Sequence, residues 1–271
     1  MQALFAKQGD HYIPSESAGS PWGLVSLHGG APTALMLSAM QERFHADEMQ
    51  LVRFTVDLFR SVPMAPLTMR CNTVRDGKRV KMYDVSLFHD GVPVSRASGL
   101  VLKKSEIAVP DSVRRDRPLP QAIAEAIDQE PHLGIGPEHR MYEGPSTPGL
   151  HREVPIKPVF LKIGVGHGCS WVKVPVPVIE GRENTPLDTV AVLADFANGF
   201  AQVHLSETVG FINADLVVNL FRMPESEWIC IDARTFPQAT GLAMVETELY
   251  DENGMIGRAS QSNLTMPRFT G

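Results

Sequence analysis

Apolar and polar positions alternate along two stretches of the chain, and each stretch predicts a run of β-strands. In the first stretch, strands are expected at residues 52–59, 67–74, 79–89 and 92–102. In the second stretch, they are expected at residues 214–221, 228–236, 242–250 and 255–266. The pairs Asp76-Gly77, Asp90-Gly91 and Asn253-Gly254 separate neighbouring segments. Such pairs favour tight hairpin turns, so the pattern predicts two antiparallel meanders.

A helix is predicted before each meander. The first spans residues 31–44 and follows Gly29-Gly30, with Pro32 in its first turn. The second spans residues 186–205 and begins at Thr185, Pro186 and Asp188. These three residues supply a hydroxyl acceptor, a fixed φ and a carboxylate near the positive end of the helix dipole.

The two stretches are copies of one unit. Residues 56–63 resemble residues 218–224, and Arg96-Ala97-Ser98 matches Arg258-Ala259-Ser260. The offset between matched positions is 162 in both cases. A constant offset of this size indicates a duplicated unit of more than a hundred residues, not a solenoid with a short period.

A proline-rich segment separates the copies. Nine of the 21 prolines lie between residues 105 and 160, where they disfavour long regular elements. One short helix is expected at residues 121–127. We therefore predict an N-terminal repeat at 1–104, a linker at 105–150 and a C-terminal repeat at 151–271.

A helix followed by an antiparallel meander predicts an α+β fold, in which a curved sheet wraps around a long helix. This is the hotdog arrangement. Two tandem copies predict a double hotdog.

Composition and charge exclude several classes of protein. The net charge is −6 and there is no long basic stripe, so we expect no nucleic-acid partner. No apolar run approaches the length of a spanning helix, and the first fifteen residues lack the apolar core of a signal peptide, so we expect no membrane partner and a cytoplasmic, bacterial-type protein. Cys71, Cys169 and Cys230 fit neither a disulfide framework nor a zinc knuckle. The nine histidines form no metal-binding motif.

The second predicted helix is apolar on most sides but carries a narrow polar stripe. Asp188, Asp195 and Gln202 are spaced by seven residues, and Asn198 adjoins them. The stripe either faces solvent or opens on a cleft. If it opens on a cleft, burial is expected to raise the pKa of Asp195 towards the range of a general base.

Two further positions contain candidate functional groups: Gln261, and the helix start at Gly29-Gly30. Gln261 stands where the first copy has Gly99, so the repeat differs there by one amide, which is either exposed or buried with partners. Gly29 and Gly30 either form an ordinary helix entry or expose bare N–H groups to an anionic or carbonyl oxygen. His28 is either a donor beside them or a packed core histidine.

These motifs resemble the thioesterase-like superfamily, and in particular acyl-CoA thioesterase II. The resemblance rests on His28-Gly29-Gly30, Leu58-Phe59-Arg60, Leu193-Ala194-Asp195-Phe196, Asn213-Ala214-Asp215 and Arg258-Ala259-Ser260-Gln261. It implies hydrolysis of an acyl-CoA by a water held between Asp195, Gln261 and Asn213. Asn213 departs from the family pattern, which has Thr or Ser there. For that reaction, the helix start at Gly29 and Gly30, with His28 beside it, is the candidate site that binds the thioester oxygen.

The resemblance also implies the partners of the protein. Coenzyme A enters as part of the substrate, no other cofactor or metal is expected, and the chain is a monomer or a homodimer. Arg75, Lys78 and Arg79 either contact the phosphates of coenzyme A or form a charged hairpin tip.

Three other functions are alternatives to hydrolysis of an acyl-CoA by a bound water. A serine esterase lacks support because the chain has no G-x-S-x-G motif. A hotdog hydratase or dehydratase would have His five residues after the catalytic Asp, where this chain has Phe200. A non-catalytic acyl-CoA-binding protein is favoured by Asn213, because an amide does not reproduce the geometry of a hydroxyl.

Overall fold

The computed structural model describes residues 2–21, 23–134, 148–162, 164–206 and 209–267. The strands are β1 (Phe5–Gln8), β2 (His11–Pro14), β3 (Gly19–Ser20), β4 (Gly23–Leu27), β5 (Met49–Asp57), β6 (Thr68–Asp76), β7 (Val80–His89), β8 (Val92–Lys103), β9 (His132–Leu133), β10 (Pro155–Leu161), β11 (His167–Lys173), β12 (Val209–Asn213), β13 (Asp215–Leu220), β14 (Trp228–Pro237), β15 (Leu242–Asp251) and β16 (Gly254–Pro267). The helices are α1 (Gly30–Gln41), α2 (Gln121–Glu125), α3 (Leu150–Glu153), α4 (Pro186–Leu193) and α5 (Ala197–Phe200).

One large antiparallel sheet contains both meanders. Its N-terminal half has the order β6-β7-β8-β5, and its C-terminal half repeats that order in mirror image as β13-β16-β15-β14. Strands β5 and β13 join the halves, with Asp57 opposite Asp215 and Arg53 opposite Asn219. Strands β11, β10 and β9 extend the C-terminal half, and β12 pairs with β16. This topology confirms the predicted double hotdog.

The predicted hairpin turns are confirmed. Asp90 and Gly91 connect β7 to β8 with φ angles of 48° and 75°, which is the backbone that a tight hairpin turn requires. Asn253-Gly254 connects β15 to β16, and Asp76-Gly77 lies between β6 and β7. Each turn fixes the register of the strands on either side of it.

The first predicted helix is confirmed as α1, but the second prediction is partly wrong. In place of one helix over 186–205, a 3₁₀ turn at Ala194–Phe196 separates α4 from α5, and α5 ends at Phe200. The carbonyl of Gln202 accepts hydrogen bonds from the N–H groups of Gly164 and Gly166. These bonds hold the backbone at Gln202 against the segment at 164–166, and the helix therefore does not continue beyond Phe200. None of the helices in these described ranges is both long and apolar enough to cross a membrane.

Helices α1 and α4 pack side by side in opposite directions. Gly30, at the start of α1, lies against Val192 near the end of α4, and Gln41, at the end of α1, hydrogen-bonds to Asp188 near the start of α4. Every residue of α1 up to Met40 is buried. The start of each helix therefore meets the end of the other in the core.

The short linker helix is confirmed as α2. It covers the outer face of the C-terminal half of the sheet, where Trp171 Nε1 donates to the Ile123 carbonyl at 2.8 Å. Beneath it, Cys169 and Cys230 are free cysteines whose thiols share a hydrogen bond of 3.6 Å. The part of the predicted linker at 135–147 lies outside the described residues, and the boundaries at 104/105 and 150/151 stay predictions.

Candidate active site

A cavity of about 180 Å³ lies at the start of α1. It sits between the N-terminal segment, the loop after β5 and the 3₁₀ turn that follows α4. Its lining is rich in polar side chains. The polar lining residues are Ser20, Ser26, His28, Arg60, Ser61, His151, Asp195, Asn198 and Asn213.

Asp195 is the acid group of this cavity. It is 9% exposed and lies in the 3₁₀ turn. Asn213, the last residue of β12, donates its Nδ2–H to Oδ1 of Asp195 at 2.9 Å. His28 Nδ1 lies 3.1 Å from Oδ2, and the Gly30 N–H also hydrogen-bonds to the carboxylate. A carboxylate has about four lone-pair directions, so these three donors leave it one further acceptor position.

These donors reverse the expected direction of the pKa shift. Burial raises the pKa of Asp195, but the hydrogen bond and charge of His28, with the bonds from Asn213 and Gly30, lower it more. The pKa of Asp195 therefore lies below its ordinary value, and the prediction of a pKa raised towards the range of a general base is wrong. The physical reason is that donors facing a buried carboxylate favour its charged form.

His28 is held in one orientation. Its ring stacks on Phe196 with centroids 4.4 Å apart, and Nδ1 faces Asp195. The Gly30 N–H also lies 3.2 Å from Nδ1. Because Nδ1 carries a proton when it donates to Asp195, it cannot accept from Gly30, so we assign the Gly30 N–H to the carboxylate. The prediction of a bare N–H is wrong for Gly30, whereas Gly29 and His28 line the cavity.

The two glycines are required by close approach and not by unusual backbone angles. Gly29 has a φ of −57°, which any residue adopts. A Cβ at Gly29 would lie 2.8 Å from Oδ2 of Asp195, and a Cβ at Gly30 would lie 2.3 Å from the Val192 carbonyl oxygen. The backbone at the start of α1 thus contacts Val192 near the end of α4 and Asp195 in the 3₁₀ turn that follows, with no side chain between them.

Gln261 lies on β16 and is 1% exposed. Neither its Nε2 nor its Oε1 has a hydrogen-bond partner in the described part of the chain. Two residues further along β16, Asn263 donates to Asn198 at 2.6 Å. Gln261 is therefore buried, as one of the two interpretations expected, but without the partners that burial normally requires. The structure brings Asp195 and Asn213 together, and Gln261 bonds to neither.

The polar stripe of the second helix does not act as one surface. Asp188, Asp195, Asn198 and Gln202 are all buried, so the interpretation that the stripe faces solvent is wrong. Asp195 and Asn198 line the cavity, whereas Asp188 lies at the far end of α4. Because the 3₁₀ turn changes the helical spacing, residues seven apart no longer share a face.

At the start of α4, a closed polar network replaces the cavity. Thr185 and Asp188 form the predicted cap, with reciprocal bonds between their side chains and backbone. Gln41 donates to Asp188 at 2.8 Å and accepts from Thr185 at 2.6 Å. Arg182 donates to Asp188 at 2.9 Å.

Two ionisable residues of the cavity, Arg60 and His151, were not among the predicted site residues. Burial, the charge of nearby His28 and that of Arg152 lower the pKa of His151 to about 3, so its imidazole is neutral at ordinary pH. His151 begins the C-terminal half, where no motif marks it. Arg60 follows the repeated Leu-Phe pair, and a comparison with its equivalent, Arg222, was the available signal.

Other candidate sites lie away from the cavity or are not formed. Arg75, Lys78 and Arg79 are exposed on the β6–β7 hairpin, and none lines the cavity. Across residues 2–134, 148–162, 164–206 and 209–267, leaving out residue 22, no group of three His, Cys, Asp or Glu side chains is arranged to hold a metal ion.

Comparisons with known proteins match this architecture. The family model of the acyl-CoA thioesterase N-terminal domain matches residues 18–102, and that of the C-terminal domain matches residues 143–265. No curated protein matches the chain.

Solved structures share the fold over nearly the whole chain. A hot dog fold protein of unknown function from Alicyclobacillus acidocaldarius is 16% identical, with a TM-score of 0.67 over 97% of this chain and 95% of that one. The acyl-CoA thioesterase II TesB2 from Mycobacterium marinum is 16% identical, with a TM-score of 0.63 over 96% and 93%. The tesB protein from Mycobacterium avium subs paratuberculosis is 12% identical, with a TM-score of 0.60 over 97% and 96%. These structures show the shared fold, and because the two family models together cover most of its length, the chain belongs to the acyl-CoA thioesterase family.

Proposed function

We propose that the protein hydrolyses acyl-CoA thioesters with a water molecule held at Asp195, and that no covalent intermediate forms. The observation that carries this proposal is the buried, ionised carboxylate of Asp195, which lines the cavity and has one acceptor position left. A water that donates to this position has its oxygen lone pairs turned away from the carboxylate, towards a thioester carbonyl carbon.

The lowered pKa of Asp195 defines its role. A carboxylate with a low pKa is a weak general base, but it is fully ionised at neutral pH. It therefore orients the water, stabilises the positive charge that develops on that water during attack, and accepts its proton, because the water becomes strongly acidic as it bonds to the carbonyl carbon. When the C–S bond breaks, this proton passes to the coenzyme A thiolate, which leaves as the thiol. Asn213 contributes its amide oxygen as a second acceptor for the water, because its N–H already serves Asp195.

The remaining groups bind the water and the substrate. Gln261 is buried with a free donor and a free acceptor, which are the groups needed to bond a water that enters the site. Gly29 and His28 line the same cavity, and we assign to them the polarisation of the thioester oxygen, with His28 donating through Nε2 in its doubly protonated form. Neither Ser26 nor Ser61 hydrogen-bonds to a histidine in the described residues, so neither forms an activated nucleophile.

This reaction needs water and an acyl-CoA and no further cofactor. Cytoplasmic location and a monomeric or homodimeric state remain parts of the proposal.

The test is release of free thiol from acyl-CoAs of short, medium and long chain length and from aromatic acyl-CoAs. Asp195→Asn is expected to lower kcat by about 10²–10⁴-fold, the range for loss of an acid–base group. Asp188→Asn is the matched control, because it removes the equivalent buried carboxylate at the start of α4. It is expected to lower the melting temperature and leave turnover per folded molecule unchanged.

Two results would contradict the proposal. Turnover by Asp195→Asn at the wild-type rate would remove Asp195 from the reaction. Tight acyl-CoA binding without turnover by the wild-type protein would favour the alternative, a non-catalytic acyl-CoA-binding protein. The observation that favours this alternative is Asn213. Its amide N–H donates to Asp195 Oδ1, at a position where the family pattern has a hydroxyl.

A further inference from the structure

We propose that Arg60 determines substrate specificity by binding a carboxylate on a short acyl group, so that the preferred substrates are CoA monothioesters of dicarboxylic acids. This inference rests on the proposed function, because it names the substrate class of the same site.

Arg60 is a cation of the cavity without an anionic partner. It lies in the loop after β5, is exposed, and lines the cavity with Asp195. In the described part of the chain, its guanidinium makes no hydrogen bond or ion pair. Three donors already serve Asp195, and they face it from within the core. The charge of Arg60 is therefore free for an incoming anion, which a guanidinium binds in a bidentate manner.

The second repeat shows what this arginine does when it is structural. Arg222 occupies the equivalent position, 162 residues later, and binds both carboxylate oxygens of Asp251. It also donates to the carbonyls of Gly254 at 2.9 Å and Met255 at 3.2 Å. The position equivalent to Asp251 in the first repeat is His89. Loss of that carboxylate leaves Arg60 without the ion pair that holds Arg222.

Two anions of an acyl-CoA are chemically able to bind Arg60, a carboxylate on the acyl group and the phosphates of coenzyme A. The phosphates lie at the far end of the pantetheine arm, many bonds from the thioester. Arg60 lines the same cavity of about 180 Å³ as Asp195, where the thioester is to be placed. Because both residues line one small cavity, the anion that meets Arg60 has to lie only a few bonds from the thioester, and that anion is a carboxylate on the acyl chain.

The size and lining of the cavity support the same substrate class. A volume of about 180 Å³ is below the range of roughly 300–1,000 Å³ that is usual for sites that enclose drug-sized ligands. Ser26, Ser61 and the neutral His151 line it together with Arg60. A short acyl group fits this volume better than a long aliphatic chain, and Arg60 in the lining supplies a partner for its terminal carboxylate.

The test compares succinyl-CoA with butyryl-CoA, which have the same chain length and differ by the terminal carboxylate. Each acyl group is also assayed as its N-acetylcysteamine thioester, which lacks the phosphates. Wild type, Arg60→Gln and the control Arg115→Gln are compared by KM and kcat separately. Arg115 is exposed in the segment between the repeats and does not line the cavity, so its loss changes the net charge equally without altering the site.

We expect wild type to prefer the succinyl thioester. Arg60→Gln is expected to lower kcat/KM for succinyl thioesters at least tenfold more than for butyryl thioesters, chiefly through KM, and to do so with both carriers. Arg115→Gln is expected to behave as wild type. An equal loss for succinyl- and butyryl-CoA that disappears with N-acetylcysteamine would overturn the inference in favour of the CoA phosphates. No loss at all would show that Arg60 is only a solvated side chain.

A binding measurement separates this inference from the proposed function. Calorimetric titration of succinyl-CoA and butyryl-CoA into wild type and Arg60→Gln does not require turnover. Preferential binding of succinyl-CoA that Arg60→Gln abolishes would support the inference even if no thiol were released. Turnover of both substrates with equal affinity would contradict the inference and leave the hydrolase proposal intact.

Discussion

The starts of helices α1 and α4 occupy equivalent places in the two halves, but they differ in what they contain. At α1, two glycines let the backbone touch Asp195, and a cavity opens beside them. At α4, Thr185, Asp188, Gln41 and Arg182 bond to one another, and Asp188 is fully buried. Both ends contain a buried carboxylate, so burial of an acid does not by itself mark a site.

The difference between the two ends lies in which groups are left without partners. At the start of α4, each oxygen of the Asp188 carboxylate receives a side-chain hydrogen bond. At the start of α1, Asp195 keeps an acceptor position, and Arg60 has no anionic partner among the described residues. Duplication thus produced two such ends, of which one became a stabilising polar network and the other retained unpaired groups for a ligand.

Among the variants that test this difference between the two helix starts, Gly29→Ala is expected to have the largest effect. Its Cβ would lie 2.8 Å from Oδ2 and 2.9 Å from Oδ1 of Asp195, so the carboxylate must move. Because a displacement of about 1 Å costs on the order of a hundredfold in rate, we expect kcat to fall by about that factor. Steady-state thiol release measures the fall, and circular dichroism controls for folding. A folded variant with wild-type kcat would show that Asp195 tolerates displacement.

His151→Gln tests the cavity at the start of α1 through the pH dependence of the free energy of unfolding. The folded pKa of His151 is about 3 and its ordinary value is 6.5, so the unfolded state binds the extra proton between these values. Wild type should therefore lose stability as the pH falls from about 6.5 towards 3, by at most about 1.4 kcal/mol per pH unit from this group. His151→Gln should flatten the slope of the unfolding free energy against pH.

The control for this experiment is His11→Gln. His11 is exposed on β2, away from the cavity, and its replacement should keep the wild-type slope. Equal slopes for wild type and His151→Gln would mean that His151 takes up its proton in the folded state.

Thr185→Ala tests the polar network at the start of α4. The substitution removes the helix cap and the bond to Gln41, and loss of such a cap costs about 1 kcal/mol of unfolding free energy. Urea denaturation measures this loss. Since the network at α4 touches no part of the cavity, turnover per folded molecule is expected to stay at the wild-type value. A fall in kcat would show that the two ends are coupled.

The smallest expected effect is a displacement of the pH profile by Asn213→Ala. The hydrogen bond from Asn213 contributes to lowering the pKa of Asp195, so its removal raises that pKa. If the reaction needs the ionised carboxylate, the acid limb of kcat/KM moves to higher pH. Asn219→Ala, on the outer face of the sheet, is the control and should leave the profile in place. A shift to lower pH would contradict the assigned role of the amide.

Local chemistry made much of the fold predictable. The Asp-Gly and Asn-Gly pairs specify hairpins because few residues adopt a positive φ, and Thr185, Pro186 and Asp188 specify a helix start. The repeat offset of 162 then implied two copies of one unit. The end of α5 at Phe200 was not predictable, because beyond it Gln202 bonds to residues some forty positions earlier.

The site was predictable in its acid and its amide but not in its electrostatics. The sequence by itself determined the two repeats, the buried helix starts and the candidates Asp195 and Asn213, since these depend on neighbouring residues or on the family pattern. Only the tertiary structure decided that Asp188 and Asp195 lie at opposite ends, that His151 and Arg60 join the cavity, and that the pKa of Asp195 falls. Each of these depends on groups distant in the chain, and the direction of a pKa shift follows from the donors that folding places around a charge, not from burial alone.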